Sequence, residues 1–154
     1  MTDHTFFAPT APGLEDLLAE ELRALGADRV RAARAGVSFS GPLAIAYRAC
    51  LWSRTASRVL MRLVEVPANS AEELYDKVRA IRWEEHVAAD GSIAVDFTGA
   101  RSPITHSHYG ALKVKDAVVD RFRDRTGGRP DVETDAPDLR INVAARTRSA
   151  VIRI

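Results

Sequence analysis

The residues best suited to chemistry gather in one segment, residues 97–122, which reads FTGARSPITHSHYGALKVKDAVVDRF. A strand end leads into a polar loop with Arg101, and the loop opens a helix with Lys113 and Lys115, two of only three lysines in the chain. A helix N-terminus presents free backbone N–H groups and partial positive charge, which favour phosphate. The segment therefore predicts a surface that contacts RNA. The alternative, which local features taken alone favour slightly, is an ordinary amphipathic helix with a solvated outer face.

The candidate contact residues form two patches. In the first we expect Arg101, Lys113 and Lys115 to bind phosphate, with His106, Ser107 and Tyr109 at the helix entrance. Tyr109 is suited to stacking on a base, but it could equally cap the helix half-buried. The alternative for Lys115 is a stem that lies over the core. Arg54 and Arg58 form the second patch, where arginine often only binds helix carbonyl groups.

No grouping of residues predicts catalysis. His106 and His108 have no carboxylate or cysteine nearby in the sequence, so we expect no metal there. The acidic residues between 131 and 138 lack the glycine of a calcium-binding loop and fit solvated turns better. The serines lack a nucleophile-elbow context, and the glycines form neither a dinucleotide-binding pattern nor a P-loop. We expect no catalytic residue, metal or cofactor in this fragment.

Composition indicates one folded domain or two small ones. The chain has 154 residues, of which 28% are charged and 46% hydrophobic, which is typical of globular proteins. Its net charge is only +1, so a surface that binds an anionic partner must be local. Nineteen of the 22 basic residues are arginine, a bias that a GC-rich genome also produces.

The single cysteine and the lack of a targeting segment bear on location. Cys50 excludes an intramolecular disulfide, and its apolar neighbours predict a buried position. No apolar run approaches 18 residues and no signal peptide is visible. These features predict a cytoplasmic chain with no membrane contact.

The first half of the chain predicts the order β-α-β-β-α-β, the split, ferredoxin-like arrangement. The expected strands are Thr5–Pro9, Arg29–Ala35, Val37–Ser40 and Arg58–Val66, and the expected helices are Gly13–Leu25 and Pro42–Ser53. Leucines on one stripe support the first helix, and Gly26 fits its stop. Pro42 suits the first helical position of the second.

Residues 67–70, PANS, mark the one convincing boundary, so we predict domains at 1–66 and 67–154. The second domain is expected to contain a helix from Ser70 to Ala80 with a Ser70–Glu73 capping box, a strand Ser92–Thr98, a helix Thr105–Thr126, and a hairpin of Leu139–Ala145 with Ala150–Ile154. We expect Glu84, Glu85 and His86 to form a solvated cluster, Arg121 to flank the buried stripe of the long helix, and Asp138 with Arg140 to be a structural pair. The last strand ends without a cap, which suggests a cut from a longer chain.

Seven segments, in order, resemble the N-terminal region of bacterial large-subunit ribosomal RNA methyltransferases of the K/L type. They are APGLEDLLAEEL, the strand GVSF, LWSRTASRVL, AIRWEE, HYGALKVKDAVVDRF, RPDVETDAPDLRINV and the closing strand. The resemblance extends from about Phe6 to the end of the chain.

The resemblance implies an α+β chain: a ferredoxin-like βαββαβ domain followed by an α/β THUMP domain, which is an RNA-binding module. In the family, a Rossmann-like methyltransferase that uses S-adenosylmethionine follows and modifies a guanine N2 of 23S ribosomal RNA, and some members add a 7-methylguanine-forming enzyme. The family's Asn/Asp-Pro-Pro-aromatic loop is absent from this sequence. Catalysis and S-adenosylmethionine are thus expected in a domain outside this chain.

Two functional hypotheses follow. The first is a substrate-recognition module that binds 23S ribosomal RNA and presents a guanine to the downstream methyltransferase domain of the same parent chain. The alternative is a docking module that orients that domain with little RNA contact of its own. The distribution of charge is compatible with both hypotheses: residues 1–66 contain 8 basic and 7 acidic residues, and residues 67–154 contain 14 of each. A stand-alone enzyme is disfavoured because no acid–base or nucleophile grouping is visible.

Overall fold

The chain folds into two compact units, Met1–Arg62 and Leu63–Ile154. A computed structural model describes residues 2–99 and 101–154. The two units divide inside strand β4 (Leu60–Pro67), whereas the boundary expected after residue 66 lies at the end of that strand. That boundary stays a prediction.

The first unit has the expected βαββαβ order. Its elements are β1 (His4–Pro9), α1 (Glu15–Ala24), β2 (Asp28–Ala33), β3 (Gly36–Gly41), α2 (Leu43–Trp52) and the start of β4. The strands pair antiparallel in the order β2-β3-β1-β4. This confirms the ferredoxin-like arrangement. Leu18 and Leu22 of α1 share a core with the stacked rings of Phe6 and Phe39.

Two glycines shape this unit in different ways. Gly26 follows α1 with a φ of +92°, the left-handed conformation that ends helices, as predicted. Gly36, which lies between two of the strands expected from the sequence, opens β3, and Ala35 before it carries the positive φ of +62°. A Cβ at Gly36 would lie 2.4 Å from the ring of Phe7, so close packing is what requires glycine there.

Helix α2 departs from the sequence predictions in two respects. Pro42 is the N-cap, with an extended ψ of 160°, and is not the first helical residue. Cys50 is exposed, because Ile45, Ala46 and Ala49 form the buried stripe. The helix is apolar on most of its circumference, so its sequence carries no periodic signal that separates the inner face from the outer one.

The second unit contains a short helix, a long helix and a mixed sheet. Its elements are α3 (Ala71–Arg79), a 3-10 turn at Trp83–Glu85, β5 (Ser92–Thr98), α4 (Ser107–Thr126), β6 (Asp131–Val132), β7 (Leu139–Ala145) and β8 (Ser149–Arg153). Strand β5 pairs parallel with β6 and β7, and β7 pairs antiparallel with β8 as the predicted hairpin. Ser149 also donates a 2.9 Å hydrogen bond to Glu65 at the end of β4.

The start of α3 confirms the predicted cap with one change. Ser70 Oγ accepts a 3.1 Å hydrogen bond from the Glu73 backbone N–H. The Glu73 carboxylate accepts from the Asn69 backbone N–H at 2.7 Å and from the Asn69 amide at 2.8 Å. The reciprocal bond of the capping box therefore closes one residue earlier than in the standard motif.

Arg121 occupies a position that the sequence did not predict. It was expected at the flank of α4, and Glu84 in a solvated cluster, but the Arg121 side chain is buried and binds both Glu84 oxygens at 2.6 and 2.7 Å. Its guanidinium also donates to the carbonyl groups of Arg79 and Ala80 at 3.1 and 3.3 Å. The helix end of α3 leaves carbonyl groups unpaired, and a long donor from α4 reaches them.

Candidate nucleic-acid interface

The loop before α4 is anchored by two residues whose side chains point inward. Ser102 and Ile104 are buried at 6% and 5% exposure. The Ser102 N–H donates to the Gly99 carbonyl at 3.1 Å, and the Ile104 N–H donates to Ser102 Oγ at 3.1 Å. This internal bonding fixes the loop while Arg101, between the anchors and the strand end, stays exposed to solvent.

The N-terminal end of α4 has neither a side-chain cap nor an acidic residue in its first turn. His106 is the N-cap in an extended conformation, and its side chain makes no capping bond. The first turn of α4 contains no acidic residue, whereas α1 and α3 each have two acids there. The N–H groups of Ser107, His108 and Tyr109 have no partner within the helix and carry its partial positive charge. Such an end can bind a phosphate group.

One turn further, Lys113 lies between two aromatic rings. Its Nζ is 5.7 Å from the ring centre of Tyr109 and 6.0 Å from that of Tyr75 on α3. Tyr75 donates a 2.6 Å hydrogen bond to Asp120, and that bond, followed by burial, raises the pKa of Tyr75. The rings therefore hold the ammonium group by cation–π attraction close to the half-exposed face of Tyr109.

The other flank of α4 borders a groove of about 270 Å³ against β5, β6 and β7. Its floor includes the buried Ile93 and Ala94 of β5, and its rim includes Leu112, Val132, His108, Lys115 and Arg140. Arg140 is fixed by a 2.6 Å bond to the Thr134 carbonyl, and it also pairs with the carboxylate of Asp96 at 3.4 Å. Lys115 pairs with the neighbouring Asp116. An apolar floor with a basic rim suits a flat ring that carries a phosphate.

The structure separates the predicted residues into several places. Tyr109 and Lys113 lie together on the α3 side of α4, and Lys115 lies on the other side. Two residues of helix turn the side-chain direction by about 200°, so the two lysines cannot share one patch. Arg101, His106 and Ser107 are exposed around the entrance. The contact roles of all these residues stay predictions.

Arg54 and Arg58 belong to the first unit, and both are exposed. The turn that carries Arg54 is held by Glu21, which accepts hydrogen bonds from Ser53 at 2.8 Å and Thr55 at 2.9 Å. Burial of Glu21 opposes its ionisation, but these bonds outweigh burial and lower its pKa. The Arg54 side chain is 91% exposed, and its Nε is 3.9 Å from Glu21. The turn is rigid while the guanidinium faces solvent.

Sequence reasoning missed Tyr75 as a support for Lys113 and Arg140 as part of a groove. Both act through partners tens of residues away, and no local spacing reveals them. Asp138 and Arg140 were expected to pair, but Asp138 accepts from the Ser92 backbone N–H at 2.9 Å and from the Ser92 hydroxyl at 3.2 Å. Arg140 turns to Thr134 and Asp96 instead.

The described part of the chain offers neither a metal cluster nor a membrane-spanning helix. Residues 2–99 and 101–154 contain no group of three or more His, Cys, Asp or Glu side chains placed to hold a metal ion. Within the same ranges, no helix has the length and apolar character to cross a bilayer.

Comparison with known proteins places both units. Residues 5–60 match the RlmL ferredoxin-like domain, and residues 68–154 match the THUMP domain. The ribosomal RNA large subunit methyltransferase K/L of Syntrophotalea carbinolica is 55% identical over 138 residues, which are 90% of this chain and 19% of that protein. The K/L enzyme of Magnetococcus marinus is 49% identical over 93% of this chain and 20% of its own length.

A solved structure agrees with this placement. The crystal structure of a predicted N6-adenine-specific DNA methylase from Listeria monocytogenes matches with a TM-score of 0.85 and 26% identity, over 100% of this chain and 40% of that one. The chain spans about a fifth of the length of the two K/L relatives. Since the THUMP match covers more than half of its residues, the chain belongs to the THUMP domain family, with an RlmL-type ferredoxin-like domain ahead of the THUMP domain.

Proposed function

We propose that this chain is the RNA-binding, substrate-recognition module of a 23S ribosomal RNA guanine-N2 methyltransferase. The observation that carries the proposal is the open entrance of α4, where free N–H groups, exposed Arg101 and ring-held Lys113 occur without a first-turn acid. The curated relatives are named as large-subunit ribosomal RNA methyltransferases, which supports a ribosomal RNA substrate.

The entrance of α4 would bind the RNA backbone. A phosphate accepts from the first-turn N–H groups, and Arg101 and Lys113 neutralise its charge and that of its neighbour. Phosphate contacts of this kind position an RNA without reading its sequence. Tyr109 offers its exposed face to a base beside the bound phosphate, which gives the contact a preference for unpaired nucleotides.

The groove on the other flank of α4 would receive a second part of the RNA. Its floor is apolar, and His108, Lys115 and Arg140 donate from the rim. Thr134 and Asp96 hold the Arg140 side chain in place before RNA binds. Binding of RNA therefore costs little further side-chain conformational entropy at this residue. A base inserted there would be oriented by aliphatic side chains, and its phosphate by the rim.

Methyl transfer belongs to the parent protein. S-adenosylmethionine would supply the methyl group in a separate catalytic domain of the same parent chain. Residues 1–154 would contribute affinity and orientation: they hold the ribosomal RNA so that the target guanine is presented to that domain. Location in the cytoplasm, where ribosomes are assembled, is part of the same proposal.

Titration of a fluorescent 23S-derived hairpin at low and moderate salt tests the proposal. We expect binding that weakens steeply with salt, and at least a tenfold loss of affinity in Arg101→Glu/Lys113→Glu because two phosphate contacts become repulsive. Arg125→Glu/Arg129→Glu is the matched control, since it makes the same charge change at exposed positions at the far end of α4 and just beyond it.

The outcomes separate the hypotheses. Equal losses in both double variants would mean that net charge, and not the α4 entrance, governs binding. Absence of binding even at low salt would contradict the recognition role and favour a docking module that orients the catalytic domain. Circular dichroism of each variant shows whether the fold is retained.

A further inference from the structure

The first unit exposes an unusual amount of apolar surface on one short helix. Four of the nine exposed large apolar side chains in the described part of the protein lie on the ten-residue α2: Leu43, Tyr47, Leu51 and Trp52. Tyr47 and Trp52 are each 67% exposed. Single exposed apolar residues need no explanation, but Leu43, Tyr47 and Leu51 follow one another at four-residue spacing and form one exposed stripe. Trp52 lies about 140° further around the helix than Tyr47, and the group as a whole marks a binding surface.

The solvent-exposed side of α2 carries two aromatic rings, with an arginine and a leucine between them in the sequence. Ile45, Ala46 and Ala49 turn toward the core, which directs Tyr47 outward, with Arg48 and Leu51 beside it. Trp52 follows Arg48 by one helical turn, so these two side chains are neighbours on the helix surface. Both rings are therefore exposed to solvent. Tyr47 has Leu51 beside it, and Trp52 has Arg48 beside it.

The charge of the chain segment that contains α2 indicates which partner fits this face. Residues 29–64 contain seven arginines and no Asp or Glu, and all the acids of residues 1–62 lie between Asp3 and Asp28. The acid nearest to the C-terminal end of α2 is Glu21, whose carboxylate is occupied by Ser53, Thr55 and the Arg54 backbone N–H. Exposed rings beside arginine in an acid-free segment suit a polyanion with flat bases.

We propose that the outer face of α2 is a stacking platform for unpaired RNA bases. Tyr47 and Trp52 supply the ring faces, and Arg48 and Arg54 bind the adjoining phosphates. The proposal rests on the RNA-binding function and extends it, because this surface takes single-stranded RNA and lies in the ferredoxin-like unit. A protein partner would use Leu43 and Leu51 as much as the rings, and that difference can be measured.

Tryptophan fluorescence gives a direct readout. Of the two tryptophans, Trp83 is fully buried and Trp52 is exposed, so a base that stacks on the surface quenches Trp52 alone. A fluorescein-labelled ten-nucleotide oligoadenylate reports binding by anisotropy, and the unlabelled strand reports stacking by quenching of the intrinsic emission. We expect both signals to follow one isotherm at low salt.

Variants separate stacking from general apolar contact. Tyr47→Ala/Trp52→Ala should weaken oligoadenylate binding by about tenfold or more for each ring removed. Leu51→Ala, which removes a more exposed side chain without a ring face, should change the affinity by less than about twofold. Trp52→Phe keeps a ring and should retain most of the affinity, which guards against a loss caused by unfolding.

Each other outcome overturns the proposal. Binding without Trp52 quenching, or with full affinity in the double alanine variant, would place single-stranded RNA elsewhere and leave the hairpin-binding function intact. Equal losses in Leu51→Ala and in the ring variants would refute stacking. A blue shift of Trp52 that grows with protein concentration alone would assign the face to a second copy of the chain. Failure of both the hairpin and the oligoadenylate to bind would remove this proposal together with the proposed function.

Discussion

The buried guanidinium of Arg121 ties α4 to the C-terminal end of α3. It makes two bonds to the Glu84 carboxylate and two to the carbonyl groups of Arg79 and Ala80. Arginine suits this position because its planar group satisfies several fixed acceptors at once. Removal of one partner lowers the free energy of unfolding by more than the intact ion pair adds to it, because the remaining buried groups are left without hydrogen bonds.

Truncation of Arg121 should therefore destabilise the second unit strongly. We expect Arg121→Ala to lower the free energy of unfolding by about 2–4 kcal/mol, as for a broken, largely buried ion pair. Urea denaturation followed by circular dichroism measures this. Arg123→Ala, which removes an exposed pair with Asp120, is the control and should change stability by less than about 1 kcal/mol. Similar effects of the two substitutions would contradict the structural role.

The same contact gives a pH dependence. The hydrogen bonds from Arg121 lower the pKa of Glu84 from 4.5 to about 2. A carboxyl group with a lowered folded-state pKa contributes stability that is fully present above its unfolded pKa near 4.5 and is lost as the pH falls toward 2. Urea midpoints measured at steps between pH 6 and pH 2.5 should fall for the natural chain, and the difference between it and Glu84→Gln should shrink. A constant difference across this range would refute the assignment.

At the scale of elements, the start of α4 is set by its packing on β5. Gly110 lies one turn into the helix, where the ring of the buried Phe97 packs directly against the helix backbone. A Cβ at this position would lie 2.7 Å from two carbons of that ring. The glycine lets the helix entrance approach the sheet, and so it fixes where Arg101 and the first-turn N–H groups are presented.

Gly110→Ala tests this close approach. In an exposed helix interior alanine is better than glycine by about 1 kcal/mol, so helix propensity alone predicts a gain in stability. We expect a loss of about 1–3 kcal/mol, because the added methyl group overlaps the Phe97 ring. Thermal unfolding shows whether the substitution stabilises or destabilises the protein. Phe97→Leu combined with Gly110→Ala should recover part of the loss relative to the two single variants, and strict additivity would argue against direct contact.

The elements differ in how well the sequence predicts them. The stop of α1 at Gly26, the cap of α3 at Ser70 and the hairpin of β7 with β8 rest on local signals, and all three are confirmed. The outer face of α2 and the position of Arg121 depend on which other element packs against them. Helix periodicity could not place Cys50 because α2 is apolar on most sides. It placed Arg121 at the flank of the buried stripe and not in the interior, because the acceptors of Arg121 lie more than 35 residues away in the chain.

The same limit applies to the candidate site. Composition and spacing identified the loop and helix that carry Arg101, Lys113 and Tyr109, because a basic helix entrance is a local pattern. The pairing of Lys113 with Tyr75 and the groove bordered by Arg140 needed the packing of α3 and β7 around α4. Residues 67–154 have equal numbers of acids and bases, so no overall charge pointed to either.

For the whole molecule, a net charge of +1 conceals an uneven distribution. Acids of the first unit fall in residues 3–28 and arginines dominate residues 29–64, while the entrance of α4 lacks acids in its first turn. RNA contacts should accordingly be of two kinds. Phosphate contacts release counterions and depend on salt, whereas ring stacking contributes affinity that salt hardly changes.

Salt titrations should separate the two kinds in one protein. The logarithm of the affinity for a single-stranded probe falls with the logarithm of the salt concentration by about 0.7 for each phosphate neutralised. Arg101→Ala/Lys113→Ala should thus make the slope shallower by about 1.4 in a probe that reaches both contacts. Tyr47→Ala/Trp52→Ala should lower the affinity at every salt concentration while the slope stays unchanged. A shallower slope in the ring variant, or an unchanged slope in the Arg101/Lys113 variant, would contradict the division of roles between α4 and α2.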